Sequence, residues 1–470
     1  MLASSVAAGG LLAARALRRP PSPVADKAPP RLRAWLPVVG SGFGLMRNPT
    51  RFQRSAHAAL GPVFTADVFG LELTFVDRGE LLSHVLGASS EEYNLVAAYR
   101  QMFARLLGEE LFLDAPPEAM RGLGPGPLRR HTPALGEFLA DLIAARLPVG
   151  REFDLLALTN TLAFHASCWY VCGAAIAEAR RDELARLFHV IESDFSVLGS
   201  FSPVETPSLR RRVAARARAL EIFREEVRYR LAHPGGESDY LQSLLDVYAP
   251  QTDGPASEAQ VELAALGIMG LVFGAHTNTA VAMAAILSDI AERPALLAAI
   301  REEQARILAG RPLDFEALTR MPTLYRAINE TLRLRSNGGI WRKLLRPTEL
   351  GGYALPAGAL VGSMMGLLNA DERVYARPER YDPGRYAEMQ TDHFQCPSVS
   401  AQKPLFGPFG AGRHVCPGRP LAYVILGVAT TLLLRGRDFA VRRRPALWFD
   451  LMTAGMARPI GKLLVRATPT

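Results

Sequence analysis

Pro408-Phe409-Gly410-Ala411-Gly412-Arg413-His414-Val415-Cys416-Pro417-Gly418-Arg419-Pro420 packs several signals into one short loop. Gly410 and Gly412 allow a tight turn that passes close to a flat ligand. Cys416 stands just before a helical run, Pro420–Leu434, whose first amides favour negative charge and therefore a thiolate. Phe409 is placed to pack on the sulfur side of a planar ring. Arg413 and His414 offer positive charge to acidic groups at its edge. A lone cysteine in a glycine-rich turn is most often simply buried, so the rest of the chain has to support the reading.

The rest of the chain narrows the class. Its 470 residues are 49% apolar and 21% charged, enough to bury a large core and too apolar for bulk disorder. Length alone suggests about three domains. Four cysteines exclude a disulfide-stapled scaffold and point to a reducing compartment. Of the net charge of +8, +5 lies in residues 1–35, on Arg15, Arg18, Arg19, Lys27, Arg31 and Arg33 against Asp26. The body is near neutral and has no basic stripe interleaved with aromatics, which argues against nucleic acid. Residues 1–14 are uncharged but too short for a bilayer core of ~30 Å. Three readings of this stretch stay open: a short anchor holding the body at the cytosolic membrane surface, a transit peptide for organelle import, and a frayed tail. The prolines at 20, 21, 23, 29 and 30 make a stiff linker. The folded body is therefore expected from Leu32, dividing the chain into 1–31 and a body of 32–470.

Apolar spacing of the 3.6-residue kind predicts helices over Glu137–Leu147, Arg180–Ser196, Ser208–Leu231, Glu258–Ala291 and Pro294–Leu308. Strand-like stretches are few: Val63–Val68, Leu73–Val76 and Gly358–Ser363. Gly235–Ser238 and Ala249–Gly254 read as loops around a short helix. The fold class is mainly α with small β-sheets. No fixed-period repeat occurs, no phosphate-binding loop is present, and the glycines near 410 follow no βαβ pattern. Cys168 and Cys172, with His165 on the same helix face, suit a metal in spacing, but such an apolar helix is more often core. Cys396 is expected to have no role.

With Phe409, Gly412, Cys416 and Gly418 in place, the loop resembles the haem-binding loop of the cytochrome P450 family, whose cysteine is the axial thiolate. The resemblance implies the cytochrome P450 fold, in one domain, around haem b (iron protoporphyrin IX). It implies Cys416 as the iron ligand, with Phe409, Gly410, Gly412, Arg413, His414 and Gly418 around the cofactor. Other stretches run in the family's order. Glu330-Thr331-Leu332-Arg333 looks like its E-x-x-R, and Arg385, within Pro378–Tyr386, matches the arginine that completes a structural Glu-Arg-Arg triad. Arg342, in Ile340-Trp341-Arg342, matches an arginine that pairs with a haem propionate. Gly274-Ala275-His276-Thr277 resembles the family's Gly-x-acid-Thr, making Thr277 the threonine that notches the helix over the haem and helps protonate dioxygen. The acid position is His276, which can itself relay protons.

Histidine before that threonine is typical of the sterol 14α-demethylases. Ala98–Phe103, Gly108-Glu109, Leu113-Asp114 and Asp450-Leu451-Met452 also look like that branch. The likeness implies a pocket of Tyr99, Met102, Phe103, Phe273, Ala275, Leu451 and Met452 over the haem. Glu110, Ser336-Asn337-Gly338 and the Pro417-Gly418-Arg419 run depart from it, the last being similar to bile-acid hydroxylases and prostacyclin synthase. Gly122–Pro127 would break the helix that normally supports a propionate. The expected function is insertion of one oxygen atom from O2 into a C–H bond of an apolar substrate, a sterol, steroid or similar lipid. No flavin, nicotinamide or iron–sulfur motif is present, so electrons are expected from a separate NADPH–P450 reductase or a ferredoxin with its reductase. Two rivals keep the haem: an isomerase or dehydratase of lipid peroxides, and a non-catalytic sensor.

Overall fold

A computed structural model describes residues 27–34, 39–112, 116–192, 206–233, 239–249, 256–397, 406–448 and 455–470. The apolar/basic stretch of residues 1–26 lies outside them, as do Leu113, Asp114, Leu451 and Met452. Helices dominate. Those that build the site are α1 (Leu95–Leu107), α2 (Pro125–Arg146), α3 (Leu155–Cys172), α4 (Arg181–Glu192), α5 (Pro207–Ala232), α6 (Tyr240–Tyr248), α7 (Glu258–Ala291), α8 (Pro322–Arg335) and α9 (Arg419–Leu434). The expected Glu258–Ala291 and Pro294–Leu308 helices have those same ends. The helix expected from Glu137 starts at Pro125 instead, because Pro125 and Pro127 sit in the first turn, where a missing N–H costs nothing. Before it, Pro117–Leu123 winds as a 3₁₀ helix.

The main sheet has five strands: β1 (Val63–Val68), β2 (Leu71–Val76), β3 (Tyr93–Asn94), β4 (Gly339–Leu344) and β5 (Leu360–Met364), in the spatial order β1-β2-β5-β4-β3. Neighbours are antiparallel except β2 and β5, which run parallel with Leu73 opposite Leu360. Phe64 and Phe75 stack at 4.9 Å across β1 and β2, and Trp341 meets Phe75 edge-on at 5.2 Å. This wedge of aromatic area anchors β4, which carries Arg342. The bridge from Arg31 to Thr65 brings the chain into the body one residue before the expected Leu32.

α7 is the axis of the helical part. Ser257 and Gln260 cap its start reciprocally. It packs along α3, and α4, α5 and α6 cover it. It is apolar on nearly all sides, as a helix enclosed by protein must be. Its length and composition would also suit a bilayer, but 56% of its most apolar window is buried within this fold.

Candidate active site

The loop of Phe406 to Gly418 is held from several directions. Gly407 N–H donates to Asn369 Oδ1 (2.9 Å), Gly410 N–H to Gly407 O (3.0 Å) and Cys416 N–H to Phe409 O (2.8 Å). Gly410 and Gly412 have φ of +74° and +75°, the left-handed region open to glycine. A Cβ at Gly412 would collide with the carbonyl of Leu86, so that glycine permits a close approach between backbones rather than to a ligand. The Phe409 ring packs on Tyr423 at 5.2 Å.

Cys416 then faces a cavity of about 520 Å³, within the range of small-molecule sites. Its surface is accessible, yet the surface it exposes is the cavity's. Burial pushes its thiol up, while the backbone amides of Gly418 and Arg419 and the Arg419 guanidinium pull the other way. A thiolate there has donors already aimed at it.

Across the cavity runs α7. Its wall residues are Gly270, Leu271, Gly274, Ala275, Asn278, Thr279 and Ala282, one face of the helix. Thr279 Oγ1 donates to Ala275 O (2.6 Å), the back-bond that loosens a helical turn. His276 and Thr277 are not on that wall. His276 is buried edge-on to Phe164 (5.2 Å) and Phe188 (5.7 Å), with Nδ1 against Val272 O. Its Nε2 lies 2.8 Å from Glu192 Oε1 at the end of α4, and Thr277 Oγ1 donates to the same oxygen (2.6 Å). Burial alone would raise Glu192, but the His276 ring, the Thr277 hydroxyl and the more distant Arg458 hold it below the usual carboxylate range. The pair on the helix face turned from the cavity ties down α4. The hydroxyl that bonds back to the helix on the cavity face is that of Thr279.

Other expected residues divide similarly. Phe409, Gly410, His414, Gly418, Arg342, Tyr99 and Ala275 line the cavity with Cys416. Arg413 does not: it is exposed and its Nε donates to Gly87 O (3.3 Å). Gly412 is also off the wall. Met102 and Phe103 are buried in the sheet-side core, and Phe273 packs between that core and the helical one. Leu95, Val96, Leu111, Phe112, Val171, Met365 and Met456 form apolar wall that no motif announced. The Leu95 and Val96 turn of α1 could have been found from Tyr99, three and four residues on.

Arg342 is 2% exposed and its Nη1 donates only to Trp341 O (3.0 Å). It has no carboxylate partner among the described residues, and burial pulls it down to about 10. A desolvated cation at the edge of a cavity floored by a cysteine fits a flat group with acidic side arms. The residues present therefore suit haem. Behind the floor, Glu330 is fully buried and accepts from Arg333 Nε (2.9 Å) and Nη2 (2.8 Å), Arg385 Nε (3.1 Å), Tyr386 Oη (3.1 Å) and Asp382 N (2.9 Å). His165, Cys168 and Cys172 are buried in the helical core, and burial lowers His165 to about 4. No group of three or more metal-ligating side chains occurs among the described residues. The buried Cys396 thiol accepts from Arg419 Nη1 (3.3 Å).

The cytochrome P450 family model matches residues 149–462. Among curated proteins, the lanosterol 14-alpha demethylase of Cunninghamella elegans is 25% identical over 445 residues, 87% of this chain and 85% of that protein. The sterol 14-demethylase of Arabidopsis thaliana is 26% identical over 464 residues, covering 94% and 91%. The human lanosterol 14-alpha demethylase is 26% identical over 433 residues, covering 89% and 82%. Among solved structures, the retinoic acid-bound cyanobacterial CYP120A1 superposes with a TM-score of 0.75 at 22% identity, covering 94% of this chain and 99% of that one.

Proposed function

Since this chain belongs to the cytochrome P450 family and is a haem-thiolate monooxygenase served by a redox partner, we propose that it oxidises a C–H bond of a sterol, steroid or similar lipid, with Cys416 as the thiolate ligand. The observation that carries this is the placement of the Cys416 sulfur and Arg342 on one cavity whose remaining wall is mostly aliphatic and aromatic. The curated relatives named above are sterol demethylases, and the apolar wall suits that class of ligand.

Bound haem supplies dioxygen reduction and the oxidising equivalent for the C–H bond. The protein supplies the surroundings. Gly418 and Arg419 amides steady negative charge on Cys416 Sγ. Arg342 would hold an acidic side arm of the cofactor, and His414, joined to Ser90 Oγ at 3.0 Å, lines the same cavity. The wall from Leu95 to Phe112 excludes water from the reacting face. Proton transfer on the cavity face of α7 falls to Thr279 Oγ1, since its neighbour Asn278 is an amide rather than an acid. Electrons come from a separate reductase or ferredoxin.

Two measurements test the assignment. Ferric holoprotein titrated with sterols, steroids, fatty acids and terpenes should move toward high spin with a sterol or steroid; a flat response to both removes the lipid assignment. Cys416→Ser should lose the red-shifted Soret band of the reduced carbon monoxide complex, and retention of that band rejects Cys416 as ligand.

A further inference from the structure

Asn278 occupies an unusual position on the cavity wall. Its Oδ1 accepts from Met456 N–H (3.2 Å), and Gly455 lies so close that a Cβ there would sit 2.8 Å from Oδ1 and 3.1 Å from Nδ2. Gly455 O in turn accepts from Asn337 N (3.0 Å) and Gly338 N (2.9 Å), Ser336 Oγ donates to Met456 Sδ (3.0 Å), and Ala457 N donates to Arg335 O (3.0 Å). The segment from Gly455 to Ala457 is therefore pinned to the end of α8 on one side and to α7 on the other. Asn278 is the α7 side of that clamp.

The clamp fixes the orientation of the amide. Met456 offers an N–H, so the oxygen must face it, and the two Nδ2 hydrogens are left over. Nδ2 has no hydrogen-bond partner among the described residues. The other polar wall side chains are engaged. Thr279 donates to Ala275 O, Ser336 to Met456 Sδ and Tyr99 to Gly339 O (3.4 Å), while Arg342 and His414 belong to the end that holds the cofactor's acids. Asn278 is half-buried on the cavity wall, so this donor is left to whatever fills the cavity.

We propose that Asn278 is the polar specificity residue of this cavity, its Nδ2 donating to a carbonyl, hydroxyl or ether oxygen on an otherwise apolar ligand. This rests on the haem-monooxygenase reading given above. Asn278 and Cys416 line the same cavity, so the oxygen it holds belongs to the ligand lying over the thiolate. The preferred substrate is a lipid that already carries an oxygen, and the enzyme that precedes this one on the same skeleton is of the class that installs or exposes it.

The test uses ferric holoenzyme and iron-anchored probes, which bind whatever the natural substrate is. The probes are 4-phenylimidazoles carrying an acetyl group at the ortho, meta or para position, each paired with its isopropyl isostere. Each affinity is read from the Soret shift, and the acetyl-to-isopropyl ratio is compared within one protein, so general damage cancels. At least one acetyl isomer should bind about tenfold tighter than its isostere, the worth of one hydrogen bond. Asn278→Asp keeps an acceptor for Met456 N–H but has no N–H to give, and should abolish that preference. Asn278→Ala should abolish it too. Absence of any preference in the unaltered protein, or its survival in Asn278→Asp, overturns the inference and leaves the monooxygenase reading intact. A protein that takes up no haem, or shows no Soret shift with any azole, overturns that reading and this one with it.

Discussion

Arg342→Leu separates the cofactor-binding role of this arginine from a structural one, because the two roles predict opposite signs in the haem-free protein. Burial pulls the Arg342 guanidinium down to about 10, more than two decades below a free arginine. At 1.36 kcal/mol per decade, carrying that charge in the empty cavity costs about 3 kcal/mol. The group stays charged at pH 7, so the haem-free fold bears the cost. An anion bound beside Arg342 offsets it. Removing the charge should weaken haem retention by about two decades, the same free energy read as an equilibrium. The haem-free protein should be as stable as before or more so, since a desolvated cation is replaced by a side chain that suits its neighbours Trp341 and Ile340. The assay pairs haem transfer to excess apomyoglobin with thermal unfolding of both forms. Unchanged transfer, or a haem-free form that loses as much stability as the loaded one, refutes the reasoning.

Glu330→Gln should cost 3–5 kcal/mol in denaturant unfolding, because it leaves the buried Arg333 and Arg385 without their shared carboxylate. Thr279→Ala should divert electrons from product to peroxide, measured as peroxide formed per NADPH consumed. Thr277→Ala, whose hydroxyl faces Glu192, should leave that ratio near the starting value. Glu192 is held below its ordinary value in the folded state, so its contribution is complete above the carboxylate range and is lost as pH falls through the lowered value. Hydrogen exchange at the α4 end should accordingly quicken as pH falls below the carboxylate range, and His276→Ala should weaken that pH dependence, leaving only what Thr277 and Arg458 hold.

Much of this molecule is legible along the chain because the signals are local. The Cys416 loop needs its glycines, its proline and a following helix, all within a few residues. The ends of α7 follow from its long, mostly apolar run, whereas apolar spacing misplaces the start of α2, because Pro125 and Pro127 open that helix rather than break it. Glu330 and Arg333 share a helix face by spacing alone. Arg342 declared itself only through its place after Ile340-Trp341; its solitude as a buried cation appears once β4 is packed between β3 and β5.

The facing of α7 is where sequence stops. An amphipathic helix announces its buried side, but α7 is apolar on nearly all sides, so its apolar residues carry no direction. Gly274-Ala275-His276-Thr277 and the Asn278-Thr279 that follow offer two hydroxyls two residues apart, about 200° around the helix. Packing against α3 and α4 turns His276 and Thr277 toward Phe164, Phe188 and Glu192, and brings Asn278 and Thr279 over the cavity. The chain by itself determined that a cysteine-floored cavity would exist and which helix would cross it. Which side chains of that helix meet the ligand was decided by neighbours distant in sequence, through contacts that no local pattern encodes.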